Sequence, residues 1–484
     1  MSLKMEIARN NIIFVLGGII ASVIGFFTSI ILARLLGPLG FGFYSFVLTA
    51  VGFFVIFTYV ITGGSLTRYT ANFLSKKEYG KINYLIRFLT KYHLLFSIVV
   101  GGILILFPFE ISVFIFNKPE LSLLVQIAGV ILIFTSMADF LTEFLLGVKD
   151  FKYITLFKIL DKTLKFLFPL ILVLLGFGYL GAVGGLVIAS ILSIIFILLL
   201  FRKYSFILKS KISKINKKNI LNFGFWSFLS NASVGIFMTV DSFMISILRS
   251  VEELGFYRIA NTWTFALVTF VPISGFVIYP YFSGKQSKET LNKTFSNSVR
   301  YSLMLILPMA FLLSAFSESV INLFYGLEYS GSIEVLSILS FASVTIILSG
   351  IFGSYFSGVG RPDLVTKIVF ATLGLNIILN YILINSVGII GAAIATLLSR
   401  FLEIIIYVLI AVLIDKMSLK ASYLLKPLLA SLIMYYIAIQ FSVSSILEFV
   451  VYGIVSLSIY GIIMLAIKGI RKSDIKAVTD SLRF

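Results

Sequence analysis

The chain has 484 residues, 59% hydrophobic and 12% charged, with a mean hydropathy of +1.08 and a formal net charge of +18. This is far from the soluble globular average. With no cysteine and a single histidine, it excludes disulfides, thiolate chemistry and a zinc site built on several imidazoles.

Apolar runs of about 20 residues recur from end to end, each long enough to cross a bilayer core of about 30 Å as a helix. A β-barrel needs short alternating segments instead. The fold class expected is therefore an all-α polytopic membrane protein with about 14 transmembrane helices. In chain order the first six spans are predicted at 11–36, 41–63, 93–109, 121–147, 154–176 and 179–201. A second six follow at 220–247, 254–282, 299–317, 333–357, 364–385 and 389–413, with a last pair at 424–441 and 446–467. The first run lacks a small-residue cleavage pattern and continues to Leu36, so it reads as a mature helix rather than a signal peptide. The third follows a long polar stretch from Ser65 to Tyr92, and His93 at its edge reads as an interfacial residue.

With the amino terminus inside, the basic residues sort onto cytoplasmic segments. External segments hold only Arg34, Lys118 and Arg249, outnumbered by acidic residues. That asymmetry predicts a multi-pass protein of the plasma membrane with both termini cytoplasmic. The densest basic segment, Arg202 to Lys218, carries Lys209, Lys211, Lys214, Lys217 and Lys218. It reads as a linker lying against anionic lipids at the cytoplasmic face, and no nucleic-acid partner is expected.

The segment Leu35-Leu36-Gly37-Pro38-Leu39-Gly40-Phe41-Gly42-Phe43-Tyr44 is echoed at Leu248 to Tyr257, which ends in Leu254-Gly255-Phe256-Tyr257. Gly178-Tyr179-Leu180-Gly181-Ala182 returns as Gly388-Ile389-Ile390-Gly391-Ala392, and Leu146-Gly147-Val148 as Ser357-Gly358-Val359. Echoes in one order at nearly constant offset predict two parallel six-helix lobes, because six is even and both copies enter from the same side. The expected organisation is an N-terminal lobe at 1–201, a basic linker at 202–219, a C-terminal lobe at 220–414, and two further helices with a tail at 415–484.

Leu32 to Tyr44 resembles the first-helix hinge of Wzx-type polysaccharide and oligosaccharide flippases of the multidrug/oligosaccharidyl-lipid/polysaccharide (MOP) exporter superfamily. Thr67-Arg68-Tyr69 with Lys76-Lys77, and Gly358-Val359-Gly360-Arg361-Pro362, are similar to that family too. The resemblance implies a V-shaped transporter alternating between inward- and outward-open states. Its implied cargo is a polyprenyl-phosphate- or pyrophosphate-linked oligosaccharide, moved to the outer leaflet for surface glycan synthesis.

Flipping makes no bond, so neither catalytic residue nor cofactor is expected. It requires basic side chains inside the membrane, where an unpaired phosphate is very costly. Lys158, Lys162 and Lys165 share a helical face with Asp161, and one carboxylate cannot neutralise three ammonium groups. Snorkelling to the interface is the structural alternative. Arg34, Arg68, Arg258 and Arg400 complete the substrate-binding candidates. Asp241 is the expected partner of Arg258, and Glu403 of Arg400. Asp139 and Glu143 either bind a coupling cation or proton or neutralise the neighbouring lysines.

Three other functions compete with this reading. A cation-coupled MATE-like exporter commonly uses a first-helix carboxylate, and residues 11–36 contain none. A lipid II flippase shares the transport chemistry. A glycosyltransferase or polymerase needs catalytic groups in a sizeable extramembrane region, and the external loops predicted here are short.

Overall fold

The structure, a computed structural model, describes residues 3–271, 275–284, 287–470 and 474. Helices dominate, and no strand occurs among the described residues. Packing divides the chain into two units, 1–255 and 256–484.

In the first unit, α1 (Leu3–Phe54) is interrupted at Gly37, whose φ of 67° and ψ of 174° leave helical geometry just before Pro38. A 3-10 turn over Val55–Tyr59 leads to α2 (Ser65–Ser75). Then come α3 (Tyr79–Leu106), α4 (Pro108–Phe114), α5 (Ser122–Gly147), α6 (Phe151–Leu172), α7 (Gly178–Phe201), α8 (Ser205–Lys209) and α9 (Lys217–Leu248). The next helix, α10 (Val251–Phe270), starts in the first unit and continues into the second. The second unit adds α11 (Gly275–Phe282), α12 (Lys288–Ala315), α13 (Ser317–Phe324), α14 (Ser332–Gly358), α15 (Pro362–Val387), α16 (Ile389–Leu409), α17 (Ser422–Ala438) and α18 (Ile446–Ala466).

Among the described residues, ten helical segments are long and apolar enough to cross a membrane. Two of them, Leu16–Tyr59 and Phe151–Lys209, contain a glycine break where the sequence predicts two spans apiece. The expected third span at 93–109 needs correction: its helix begins at Tyr79, within the polar stretch. That stretch is amphipathic, and Ile82, Leu85, Ile86 and Leu89 bury one face while charged residues take the other. The expected span 254–282 crosses 272–274, and the expected tail runs on from 475; both stretches lie outside the described residues.

The packing boundary falls after Gly255, beyond the expected linker at 202–219. Close backbone contact explains why the α9–α10 turn stays with the first unit. A Cβ added to Gly42 would stand 2.3 Å from the Val251 carbonyl oxygen, and one added to Gly255 would meet Gly42 Cα at 3.3 Å. The two copies of the glycine-rich motif thus pack on each other.

Each unit also contains the same corner. Gly178 (φ 54°, ψ −142°) opens α7 and Gly388 (φ 68°, ψ −147°) opens α16, a conformation essentially restricted to glycine. Three residues on, Gly181 and Gly391 let the helix press against the preceding one. Added Cβ atoms there would lie 2.9 Å from the Leu172 carbonyl and 2.1 Å from that of Leu383.

Leu66, Leu85, Phe140, Phe144, Ile154, Tyr204 and Ile207 form part of the first unit's apolar core. Phe295, Ile306, Ile351, Phe352, Phe356 and Tyr407 form part of the second's. Outward apolar side chains such as Ile446, Leu447, Ile454 and Ile462 on α18 stay exposed, as expected of a helix whose solvent is lipid.

Candidate functional site

The first unit contains a polar interior built on α5, α6 and α7. On α6, spacings of three and four align Lys158, Asp161, Lys162 and Lys165. Asp161 takes Lys165 Nζ at 2.8 Å on one carboxylate oxygen and 3.0 Å on the other. It also accepts a hydrogen bond from Ser193 Oγ of α7 at 2.8 Å. Lys162 is exposed and Lys158 half-buried. Asp139 of α5 is an electrostatic neighbour of all three lysines. Three ammonium groups against Asp161 and Asp139 leave this face net positive.

One turn along α5, Glu143 has the Gly64 backbone N–H as a hydrogen-bond partner, while its buried Oε2 atom has none among the described residues. Its backbone carbonyl accepts from Thr67 Oγ1 at 2.9 Å, fixing the start of α2 against α5. Arg68, on α2, is exposed and lays its guanidinium over the Phe223 ring at 4.1 Å, a cation–π contact. Arg34 is exposed on α1 ahead of the Gly37 break.

His93 requires correction. It is fully buried, with Nδ1 3.2 Å from Thr62 Oγ1, Nε2 3.0 Å from the Ser136 carbonyl oxygen and its ring stacked on Phe140. The helix starts earlier than expected, so His93 falls in its middle rather than at a membrane edge.

Asp241, buried on α9, belongs to the first unit and Arg258, half-buried on α10, to the second. In the second unit Arg400 and Glu403 are both buried, with Nη1 and Oε2 3.0 Å apart, and Ser349 Oγ donates to the other glutamate oxygen. A charge held this way serves packing more readily than cargo.

Sequence reasoning missed three polar groups. On α15, Asn380 donates to Asn376 Oδ1 at 3.0 Å, and Asn376 reaches Thr396 Oγ1 of α16 at 3.5 Å, all three buried. The signal available was two asparagines four apart in an otherwise apolar helix. At the turn between α5 and α6, Asp150 accepts from Lys203 Nζ at 2.8 Å and from Tyr204. Burial pushes its carboxyl up, but these two donors hold it below the usual carboxylate value. At the turn between α14 and α15, Arg361 Nη1 donates to Asp415 at 2.9 Å and Tyr355 donates to the same carboxylate at 3.0 Å.

A family model described as polysaccharide biosynthesis protein matches residues 7–286, more than half of the chain, and one described as MatE matches 227–382. The chain is 28% identical over 187 residues to the probable low-salt glycan biosynthesis flippase Agl15 of Haloferax volcanii, covering 38% of this chain and 40% of that protein. It is 22% identical over 401 residues to the putative O-antigen transporter of Shigella flexneri, covering 81% of this chain and 94% of that protein. Among solved structures it shares its fold with the lipid II flippase MurJ in an inward closed conformation. That match has a TM-score of 0.76 at 17% identity, over 93% of this chain and 98% of the other.

Proposed function

The chain belongs to the polysaccharide biosynthesis protein family of the MOP superfamily, and on that premise we propose that it flips a polyprenyl-phosphate- or pyrophosphate-linked oligosaccharide across the plasma membrane by alternating access. The observation that carries this reading is the net-positive face of α6 in the first unit's interior. Lys158, half-buried, and Lys162, exposed, are the side chains of that face proposed to meet the phosphate. There they replace its hydration while the lipid tail stays in the bilayer. Arg34, Arg68 and Arg258 are proposed as further contacts along the headgroup's path. Arg400 is proposed to be structural, held by Glu403. Asp139 offsets part of the lysine charge when the cargo is absent, and Asp139 and Glu143 are the groups at which a coupling cation or proton is proposed to act.

Fourteen crossings, two parallel six-helix lobes and cytoplasmic termini belong to the same proposal. The repeated glycine corner supports the lobes, and the basic linker supports the orientation. Relatives named as a flippase and a transporter favour transport over catalysis.

The test uses proteoliposomes and a fluorescent lipid-linked oligosaccharide. The double variant Lys158→Ala/Lys162→Ala is expected to fold and melt like the parent yet to lose flipping. Undiminished flipping would remove the lysine face from the site. The MatE match over 227–382 favours one second reading, a cation-coupled exporter. Efflux of a cationic dye that is abolished by Asp241→Asn would establish that reading instead.

A further inference from the structure

The segment joining α7 to α9 is fastened to the body of the first unit. Asn83, on α3 and 1% exposed, gives its amide nitrogen to the carbonyls of Leu208 and Ser210 at 2.9 and 2.8 Å. Its own oxygen takes Arg87 Nε at 2.9 Å. Ser213 N–H donates to the Gly80 carbonyl at 3.2 Å, and an added Cβ on Gly80 would stand 2.1 Å from the Lys211 carbonyl oxygen. Tyr204 and Ile207 bury their side chains in the core. A connector with this many fixed points has given up its conformational freedom, which costs free energy for every residue held. A plain tether has no use for such fastening.

Its outward face has a definite chemistry. From Arg202 to Asn219 there is no acidic residue. Lys209, Lys211, Lys214 and Lys218 are exposed, and so are Phe206 (55%) and Ile212 (49%) between them. Tyr79 meets the Phe206 ring edge-on at 5.6 Å, and Lys217 lies over Tyr84 and Phe88 at 5.8 and 5.4 Å. Acidic groups close by are already engaged: Glu78 by Lys81 at 2.8 Å, and Asp150 by Lys203. Basic side chains, isolated apolar side chains and rings at the ends of apolar helices form the combination that settles at a headgroup layer.

We propose that residues 205–218 form a rigid docking surface for the anionic phospholipid headgroups of the leaflet they face, with Phe206 and Ile212 dipping below the headgroups and Asn83 setting the height. Charge complementarity selects this occupant: a uniformly basic surface attracts an anionic leaflet, and a zwitterionic one offers it little. The proposal holds for either orientation of the chain and independently of the cargo.

The absence of cysteine makes the test direct. An Ile212→Cys protein carrying an environment-sensitive fluorophore is placed in nanodiscs doped with a nitroxide-bearing lipid quencher. Three compositions are compared: phosphatidylcholine alone, phosphatidylcholine with phosphatidylglycerol, and phosphatidylcholine with polyprenyl phosphate. Quenching is expected to be at least about twofold stronger with phosphatidylglycerol than without. Adding Lys209→Gln, Lys211→Gln and Lys214→Gln should return it to the phosphatidylcholine level, and Asn83→Ala should weaken it with all lysines in place. The lysine variant alone decides the matter if Asn83→Ala does not fold. Equal quenching in the first two compositions, or a contrast that survives the lysine substitutions, overturns the proposal. So does a contrast produced by polyprenyl phosphate and not by phosphatidylglycerol, because the surface would then read the cargo.

Discussion

Asp150 and Arg361 occupy corresponding turns of the two units, three residues beyond Gly147 and Gly358, and each fastens its turn to the end of a later helix. In the first unit the acid is on the turn and the base, Lys203, follows α7. In the second the base is on the turn and the acid, Asp415, follows α16. Each carboxylate also takes one tyrosine hydroxyl, from Tyr204 or Tyr355. The charges have been exchanged and the clamp kept.

Helix dipoles make the two versions unequal. Asp150 is the N-cap of α6, accepting from the Tyr153 N–H, and Lys203 stands at a helix C-terminus. Both charges therefore complement the partial charges of their helix ends. Arg361 is the N-cap of α15 and Asp415 follows the last turn after α16, so both oppose the dipole. The first clamp is made of residues that are each favourable alone; the second depends on the pair. The glycine corners show the opposite behaviour: Gly178 and Gly388 share nearly the same φ and ψ, because a backbone conformation open only to glycine leaves no alternative residue.

The largest expected effect tests the close helix approach three residues beyond each corner. Gly391→Ala would drive a Cβ to 2.1 Å from a carbonyl oxygen, and Gly181→Ala one to 2.9 Å. Both should destabilise, Gly391→Ala by about 3 kcal/mol because the obstacle is backbone, read as a lower thermal midpoint in detergent. A Gly181→Ala protein that melts lower than Gly391→Ala would break the ranking.

The clamps come next. Arg361→Ala leaves the Asp415 carboxylate at an unfavourable helix end with its charge unmatched and the Tyr355 hydroxyl still donating to it, and should cost about 2 kcal/mol. Lys203 is 52% exposed at its side chain, and Lys203→Ala should cost no more than about 0.5 kcal/mol. Exchanging the second pair, Arg361→Asp with Asp415→Arg, puts both charges in register with the dipoles. It should recover most of what either single change loses. A double variant no better than Arg361→Asp alone would refute the dipole account.

Most of the helical architecture was legible because apolar run length and glycine punctuation are local. Gly37, Gly178 and Gly388 break helices where the sequence places turns. The start of α3 was not legible by hydropathy, since Ile82, Leu85 and Leu89 are diluted by charged neighbours on the other face. The α6 lysine face and its i,i+4 pairing of Asp161 with Lys165 could be read from spacing alone, but the Ser193 hydroxyl that also donates to Asp161 depends on how α7 packs. The clamps were invisible for the same reason: Asp150 and Lys203 are separated by an entire helical hairpin, and neither forms a motif.

The smallest effect isolates the charge on one clamp. The Lys203 and Tyr204 donors hold the Asp150 carboxyl below its ordinary value despite its burial. A carboxyl lowered on folding adds stability above its unfolded pKa of about 3.9 and loses it as pH falls through the lower folded value. Melting of the parent should therefore fall more steeply with acidification below about pH 4 than that of Asp150→Asn. Tyr153 N–H caps on one carboxylate oxygen while Lys203 and Tyr204 donate to the other, so the amide keeps one of these two acceptors and at neutral pH the variant lacks the charge and one acceptor. The two curves should converge toward the acid limit, where the parent carboxyl is neutral as well. Parallel curves across that range would mean that the clamp holds through its hydrogen-bond geometry and that the reversed charges of the two units carry no energetic consequence.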